Sequence, residues 1–257
     1  MTMALELVTI PCLQDNYAYL VHDAATGLTA CVDVPDAAPI LAALKDRGWR
    51  LSDILVTHHH ADHVQGVETL RSATGAMVLG AAADAHRLPR LDQTLTEDGP
   101  LSICGEEVRV IDVPGHTLGH IAFHFPGSGL AFTADSLMSG GCGRLFEGTP
   151  RQMWDSLTKL AALPPQTLIC SGHEYTASNL RFALTLEPGN SALMSRIDEV
   201  AKRRAQCYPT VPVPLRTELD TNPFLRAHLP AVKAAVGLPF SYDVTVFAEI
   251  RARKDKF

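Results

Sequence analysis

The sequence predicts a layered α/β sandwich that ends in a helical segment. Three observations predict it. Short apolar strands alternate with helices up to residue 174, strand signals largely stop after it, and a histidine-rich run sits where a buried strand turns into a helix.

In chain order, apolar segments place strands at 6–10, 18–22, 29–34, 54–57, 77–79, 108–113, 121–125 and 130–133, and a further one over 167–171. Helical spacing places helices at 37–47, 64–72 and 152–161. Beyond residue 174, helices are expected at 176–186 and 191–206, separated by the turn Glu187-Pro188-Gly189-Asn190. The stretch 209–214 is too rich in proline for regular structure, and a last helix is expected over 224–236. The expected division is therefore a sandwich domain over 1–173 and a helical domain over 174–257.

The chemistry concentrates in Thr57-His58-His59-His60-Ala61-Asp62-His63. Its H-x-H-x-D-H spacing puts His58, His60, Asp62 and His63 on one strand-to-helix turn. Imidazole and carboxylate are the donors that borderline divalent metals prefer. Taken alone, Asp62 is also suited to capping the helix that follows. Three later segments repeat the placement, each a strand end followed by a turn: Pro114-Gly115-His116-Thr117, a strand closing on Asp135, and Ser171-Gly172-His173. Strand ends hold ligands rigidly, and glycines let the backbone turn closely around a site. Seven donors are too many for one zinc, which usually takes three protein ligands and a water, and suit two ions about 3.5–4 Å apart. The donor count points to metal-assisted hydrolysis.

These motifs resemble the metallo-β-lactamase superfamily and, more narrowly, the glyoxalase II (hydroxyacylglutathione hydrolase) family. The narrower likeness rests on Asp15-Asn16-Tyr17, the run from Gly140 to Thr149 (GGCGRLFEGT), Gly172-His173-Glu174-Tyr175-Thr176, Thr221-Asn222-Pro223-Phe224-Leu225-Arg226 and the terminal RARKDKF from Arg251. It spans essentially the whole chain. The resemblance implies the four-layer αββα form of the sandwich, followed by a helical domain that binds glutathione. It implies that His58, His60 and His116 hold one metal, that Asp62, His63 and His173 hold the second, and that Asp135 bridges them. Asp62 and Asp135 are then the catalytic carboxylates. His59 is expected to point away from the metals and His120 to pack beside them. Zinc is the expected metal, with iron and manganese as alternatives.

The implied reaction is hydrolysis of the thioester S-D-lactoylglutathione to glutathione and D-lactate by a metal-bridged hydroxide, the second step of methylglyoxal detoxification. Arg144, Tyr175, Arg251 and Lys254 are the implied glutathione contacts, and arginine suits its two carboxylates because the guanidinium pairs at two points. Arg144 and Phe146 stand where some relatives have lysine and tyrosine. The missing phenol removes a hydrogen bond typically worth about 0.5–1.5 kcal/mol net, so glutathione affinity is expected to change while activity remains. Without the resemblance, residues 251–256 read as a frayed, solvated basic tail. Cys142 lies in a G-C-G turn with no matched histidine base and reads as a small structural residue.

Composition fits a compact cytoplasmic enzyme that acts on a small molecule; a monomer is expected, although the oligomeric state is not written in the sequence. The 257 residues are 46% apolar, enough for a core, and the net charge of −6 argues against a nucleic-acid partner. No apolar run reaches the length of a membrane span, and the N-terminal residues lack the pattern of a secretory signal. Six scattered cysteines without CxxC pairs suggest reduced thiols. A secreted β-lactamase would share the scaffold, but many of those enzymes carry cysteine where Asp135 stands here. A mononuclear-iron glutathione persulfide dioxygenase has a related scaffold and typically lacks the basic helical end.

Overall fold

The computed structural model describes residues 5–97 and 99–257. They divide by contact into two units, Met1–Asp112 with Gly119–Ala134, and Val113–Leu118 with Asp135–Phe257. This partition follows space and differs from the sequence division after residue 173.

The first unit opens with the antiparallel strands β1 (Glu6–Cys12), β2 (Asn16–Asp23) and β3 (Leu28–Val32). Helix α1 (Ala37–Arg47) then crosses to β4 (Arg50–Leu55), which pairs parallel to β3. The short α2 (Ala61–Val64) and α3 (Val67–Thr74) lead to β5 (Met77–Ala81), and β6 (Gln93–Leu95) completes a six-stranded sheet in sequence order. Parallel pairing requires such crossovers, and the helices bury the apolar sheet face. Ile40, Ile54, Val56, Leu70 and Val78 form that core. Asp36 caps α1 and Gly48 ends it at φ 66° in the left-handed region. One helix was expected over 64–72; two are found because Gly66 separates them. A Cβ there would lie 2.8 Å from Val34 Cγ1 and 2.9 Å from the Ala37 amide, so the backbone passes where no side chain fits.

After the small hairpin β7 (Ser102–Ile103) and β8 (Glu106–Glu107), strands β9 (Arg109–Asp112), β10 (Ile121–Phe125) and β11 (Leu130–Ala134) pair antiparallel. Phe123, Phe125 and Phe132 are fully buried here, and Phe132 meets Tyr19 of β2 edge-on at 5.5 Å.

In the second unit, β12 (Leu137–Met138) and β13 (Gly141–Cys142) form a tight hairpin. Helix α4 (Pro150–Ala161) begins two residues before its expected start, since Thr149 and Gln152 make a capping box and Pro150 takes the first helical position. Strand β14 (Leu168–Ser171) is followed by α5 (Thr176–Leu186) and α6 (Ser191–Ala205), which pack through Leu180, Ala183, Leu193 and Val200. Two expectations are corrected beyond this point, and so is the reading that residues 251–256 have without the resemblance. Within the proline-rich stretch, β15 (Val213–Pro214) pairs with β14 before α7 (Leu215–Thr221). Of the helix expected over 224–236, only α8 (Pro230–Ala235) forms, because proline starts a helix more readily than it continues one. The C-terminal residues are not a frayed tail: α9 (Asp243–Lys256) buries Val246, Phe247, Ile250 and Arg251. Phe247 packs against Trp154 of α4 at 5.9 Å and edge-on against Phe224 at 5.8 Å.

Candidate metal centre

In the first unit the ligand-rich turn hangs from one carboxylate that the motif does not contain. Asp33 follows β3 in the left-handed region at φ 56° and is 3% exposed. Its Oδ1 accepts the Thr57 amide at 2.9 Å, and its Oδ2 accepts the Thr57 hydroxyl and His63 Nδ1, each at 2.8 Å. His63 Nδ1–H is therefore the donor and Nε2 carries the lone pair, the arrangement a metal ligand needs. The Thr57 hydroxyl, having spent its proton on Asp33, accepts from His58 Nδ1 at 3.0 Å, which places the ring's lone pair on His58 Nε2. Asp33, His58 and His63 lie close enough to form a metal-type cluster themselves, and the hydrogen bonds assign Asp33 to the layer behind the ligands.

His58 Nε2 stands 3.2 Å from His60 Nδ1. Two nitrogens on one tetrahedral zinc at about 2.0–2.1 Å stand about 3.3 Å apart, so this pair has the separation one ion requires. Asp62 Oδ2 lies 3.9 Å from His63 Nε2 and accepts the Asn16 side-chain amide at 3.0 Å. Asn16 also donates to the Asp62 carbonyl, which gives the Asp15-Asn16-Tyr17 segment a physical role. The reading of Asp62 as a helix cap fails: α2 starts at Ala61 and makes no side-chain cap. His59 turns to Asp84 at 3.2 Å, and His120 stacks on His58 at 4.6 Å with a tilt of 11°.

In the second unit, one oxygen organises the donors. Asp135 Oδ2 lies 3.4 Å from His116 Nε2 and 3.3 Å from His173 Nε2. All three residues are at least nine-tenths buried. Each separation matches the edge between two ligands of one tetrahedral ion. His116 Nδ1 donates to the Arg144 carbonyl at 2.8 Å, directing Nε2 toward Asp135. Gly143 makes this approach feasible. A Cβ at that position would collide with the Asp135 carbonyl and sit 2.9 Å from His116 Nδ1.

The expected glutathione contacts fall in the same unit. Tyr175 stacks on His173 at 4.7 Å and is 39% exposed. Arg144 is exposed, with Nε 4.0 Å from Asp255 Oδ1. Arg251 is buried; it donates to the Cys142 carbonyl at 2.9 Å and pairs with Asp255 at 2.8 Å. Lys254 lies over the rings of Phe182 and Phe257 and reaches the Ser178 carbonyl and hydroxyl at 3.4 and 3.3 Å. Burial pushes its amine down to about 8, helped by Arg251, Arg181 and Arg144 and opposed by Asp255. Phe146 is exposed and meets His116 edge-on at 5.3 Å. Burial pushes the Cys142 thiol up to about 11, so it stays protonated and is no nucleophile.

Residues 22–173 match the metallo-beta-lactamase superfamily. In structure, the BLEG-1 B3 metallo-beta-lactamase superposes with a TM-score of 0.67, covering 86% of this chain and 99% of that one at 21% identity. TTHA1623 in a di-iron-bound form covers 65% of this chain and 91% of its own at 30% identity and a TM-score of 0.57. The fold is thus the metallo-β-lactamase fold, mixed α/β sheets with a C-terminal helical region, and with its clusters of imidazole and carboxylate it defines a metal-dependent hydrolase. Residues 174–257 match the hydroxyacylglutathione hydrolase C-terminus. A hydroxyacylglutathione hydrolase from Fuscovulum blasticum is 66% identical over 255 residues, 99% of this chain and all of the relative. The chain belongs to the hydroxyacylglutathione hydrolase, or glyoxalase II, family. Among the described residues, no helix is long and apolar enough to cross a membrane.

Proposed function

We propose that the chain hydrolyses S-D-lactoylglutathione, or a related 2-hydroxyacyl thioester, to glutathione and the free acid, D-lactate for the lactoyl ester, as the second step of methylglyoxal detoxification. The observation that carries this reading is Asp135 Oδ2 standing at ligand–ligand distance from both His116 and His173. In this proposal His58, His60 and His116 hold one divalent ion, Asp62, His63 and His173 hold another, and Asp135 serves both. The donor set supports it, because nitrogen and oxygen ligands without thiolate suit a catalytic centre better than a closed structural one. The relative described as di-iron-bound supports a count of two. Zinc is the proposed metal, and iron or manganese would satisfy the same donors.

When bound, the two ions supply a water acidic enough to attack at neutral pH and a Lewis acid for the thioester carbonyl. The chain's own groups prepare that chemistry. Asp33 and the Arg144 carbonyl hold the Nδ1 protons of His63 and His116, so both rings present Nε2 lone pairs without reorganising. Asn16 keeps the Asp62 carboxylate turned to the site. Asp62 and Asp135 are the catalytic carboxylates, and their negative charge offsets the charge of the ions. Arg144, Tyr175, Arg251 and Lys254 receive the glutathione moiety; Arg251 contributes its charge while fixed by Cys142 and Asp255. The division into a catalytic domain, 1–173, and a glutathione-binding domain, 174–257, is part of this reading, and the two family matches that meet at that boundary support it. A cytoplasmic monomer is proposed as well, in keeping with six cysteines that are all free thiols.

The test is hydrolysis of S-D-lactoylglutathione by the purified protein, with metal content assayed on the same sample. Chelator-sensitive turnover that returns on metal addition, at close to two ions per chain, is expected. No turnover at full metal loading would reject the substrate.

A further inference from the structure

Four cations crowd one corner of the second unit. Lys254 of α9 carries the field of Arg251, Arg181 and Arg144, and Asp255 opposes it while pairing with Arg251 and Arg144. In a chain of net charge −6, such a cluster stores like-charge repulsion that an anionic ligand would relieve. The four are not equivalent. Arg251 is buried, and its guanidinium is engaged by Asp255 and the Cys142 carbonyl. Arg144 has Asp255 at 4.0 Å. Arg181 is exposed, and among the described residues it makes no ion pair or side-chain hydrogen bond. Its place is set by α5. Ser178, one turn earlier, receives the Lys254 amine, and Phe182, the next residue, lies under the same amine at 5.6 Å. Arg181 therefore flanks Lys254 with its charge unspent.

We propose that Arg181 is a specificity-determining residue that pairs with one of the two carboxylates of the glutathione moiety. The proposal rests on the glutathione reading of this corner and adds a residue to it. An exposed guanidinium with no internal carboxylate can give both of its parallel N–H groups to a ligand carboxylate, whereas Arg251 has already committed its own. Of the cations in the cluster, Arg181 is the one whose full charge the ligand can use.

The experiment measures glutathione binding to the purified protein by calorimetry and KM and kcat for S-D-lactoylglutathione, for wild type, Arg181→Ala, Arg181→Glu and Arg181→Lys. Arg181→Ala is expected to weaken glutathione binding and raise KM together by about tenfold, the loss typical of one charge-assisted pair. Arg181→Glu should exceed that, Arg181→Lys should recover most of it, and kcat should stay within about twofold of wild type. An exposed position makes folding an easy control, read as an unchanged melting temperature. The cysteinylglycine thioester lacks the glutamyl carboxylate, and the γ-glutamylcysteine thioester lacks the glycine one and carries its second carboxylate one residue closer to the sulfur; the effect of Arg181→Ala should vanish with one of them and persist with the other. Wild-type affinity and KM in Arg181→Glu, with normal turnover, would overturn the Arg181 assignment alone. A wild-type protein that neither binds glutathione nor cleaves the thioester would overturn the substrate reading and Arg181 with it.

Discussion

Replacing Asp33 with asparagine isolates the carboxylate that stands behind the ligands. Asparagine tolerates the left-handed backbone at φ 56° and has nearly the same volume, so the turn itself is preserved. The hydrogen bonds cannot all be preserved. The three contacts at 2.8–2.9 Å all point donors at Asp33, and an amide offers one acceptor oxygen where the carboxylate had two. With the new NH2 group toward the Thr57 amide, two buried donors face each other. With it toward His63, the ring must move its proton to Nε2, the atom the metal needs. Either outcome loses a charge-assisted bond worth about 1.5–3 kcal/mol, and the first adds an unsatisfied donor worth about 1–3 kcal/mol. We expect metal-free Asp33→Asn to lose about 2–4 kcal/mol in urea unfolding, and metal affinity to fall about 10–100-fold in chelator competition. Lower apo stability with wild-type metal affinity would refute the claim that Asp33 orients His63. No change in either quantity would refute the hydrogen-bond assignment itself.

Three more outcomes follow from single contacts. Gly143→Ala should cost more than half of the bound metal, since its Cβ would collide with the Asp135 carbonyl, while Gly189→Ala, with nothing within 4 Å, should load normally in the same elemental assay. Lys254 titrates about 8, so its ammonium is present below that pH and lost above it. KM for the glutathione thioester should rise between about pH 7 and 9 and stay flat in Lys254→Arg. His124 is buried, and that burial, reinforced by Arg109, lowers its pKa below the ordinary 6.5. The unfolded chain therefore binds the proton more readily, and stability should fall as pH drops below 6.5; urea unfolding of metal-free His124→Phe at pH 5 and 7.5 should show a smaller difference than wild type.

The proposed ligands were legible in the sequence because each stands at a strand end beside its own turn, where residue type and spacing carry the meaning. Asp33 was not. In Val32-Asp33-Val34-Pro35-Asp36 an acid after a strand looks like any strand terminus, and Asp36 draws attention as the cap of α1. What gives Asp33 its role is the parallel pairing of β3 with β4, which carries it to Thr57, 24 residues on. An acid closing a buried strand is a weak signal, yet the same pattern singled out Asp135, and it was available twice. The helix α9 shows a different failure. Val246, Phe247 and Ile250 have helical spacing, but the basic run after them reads as solvated until its partners are known. Phe224 lies under the Arg251 guanidinium at 5.1 Å, and Asp255 sits one turn on. Long-range partners of this kind decide whether a charge is structural or free for a ligand. That difference separates Arg251 from Arg181, two arginines that composition and spacing treat alike.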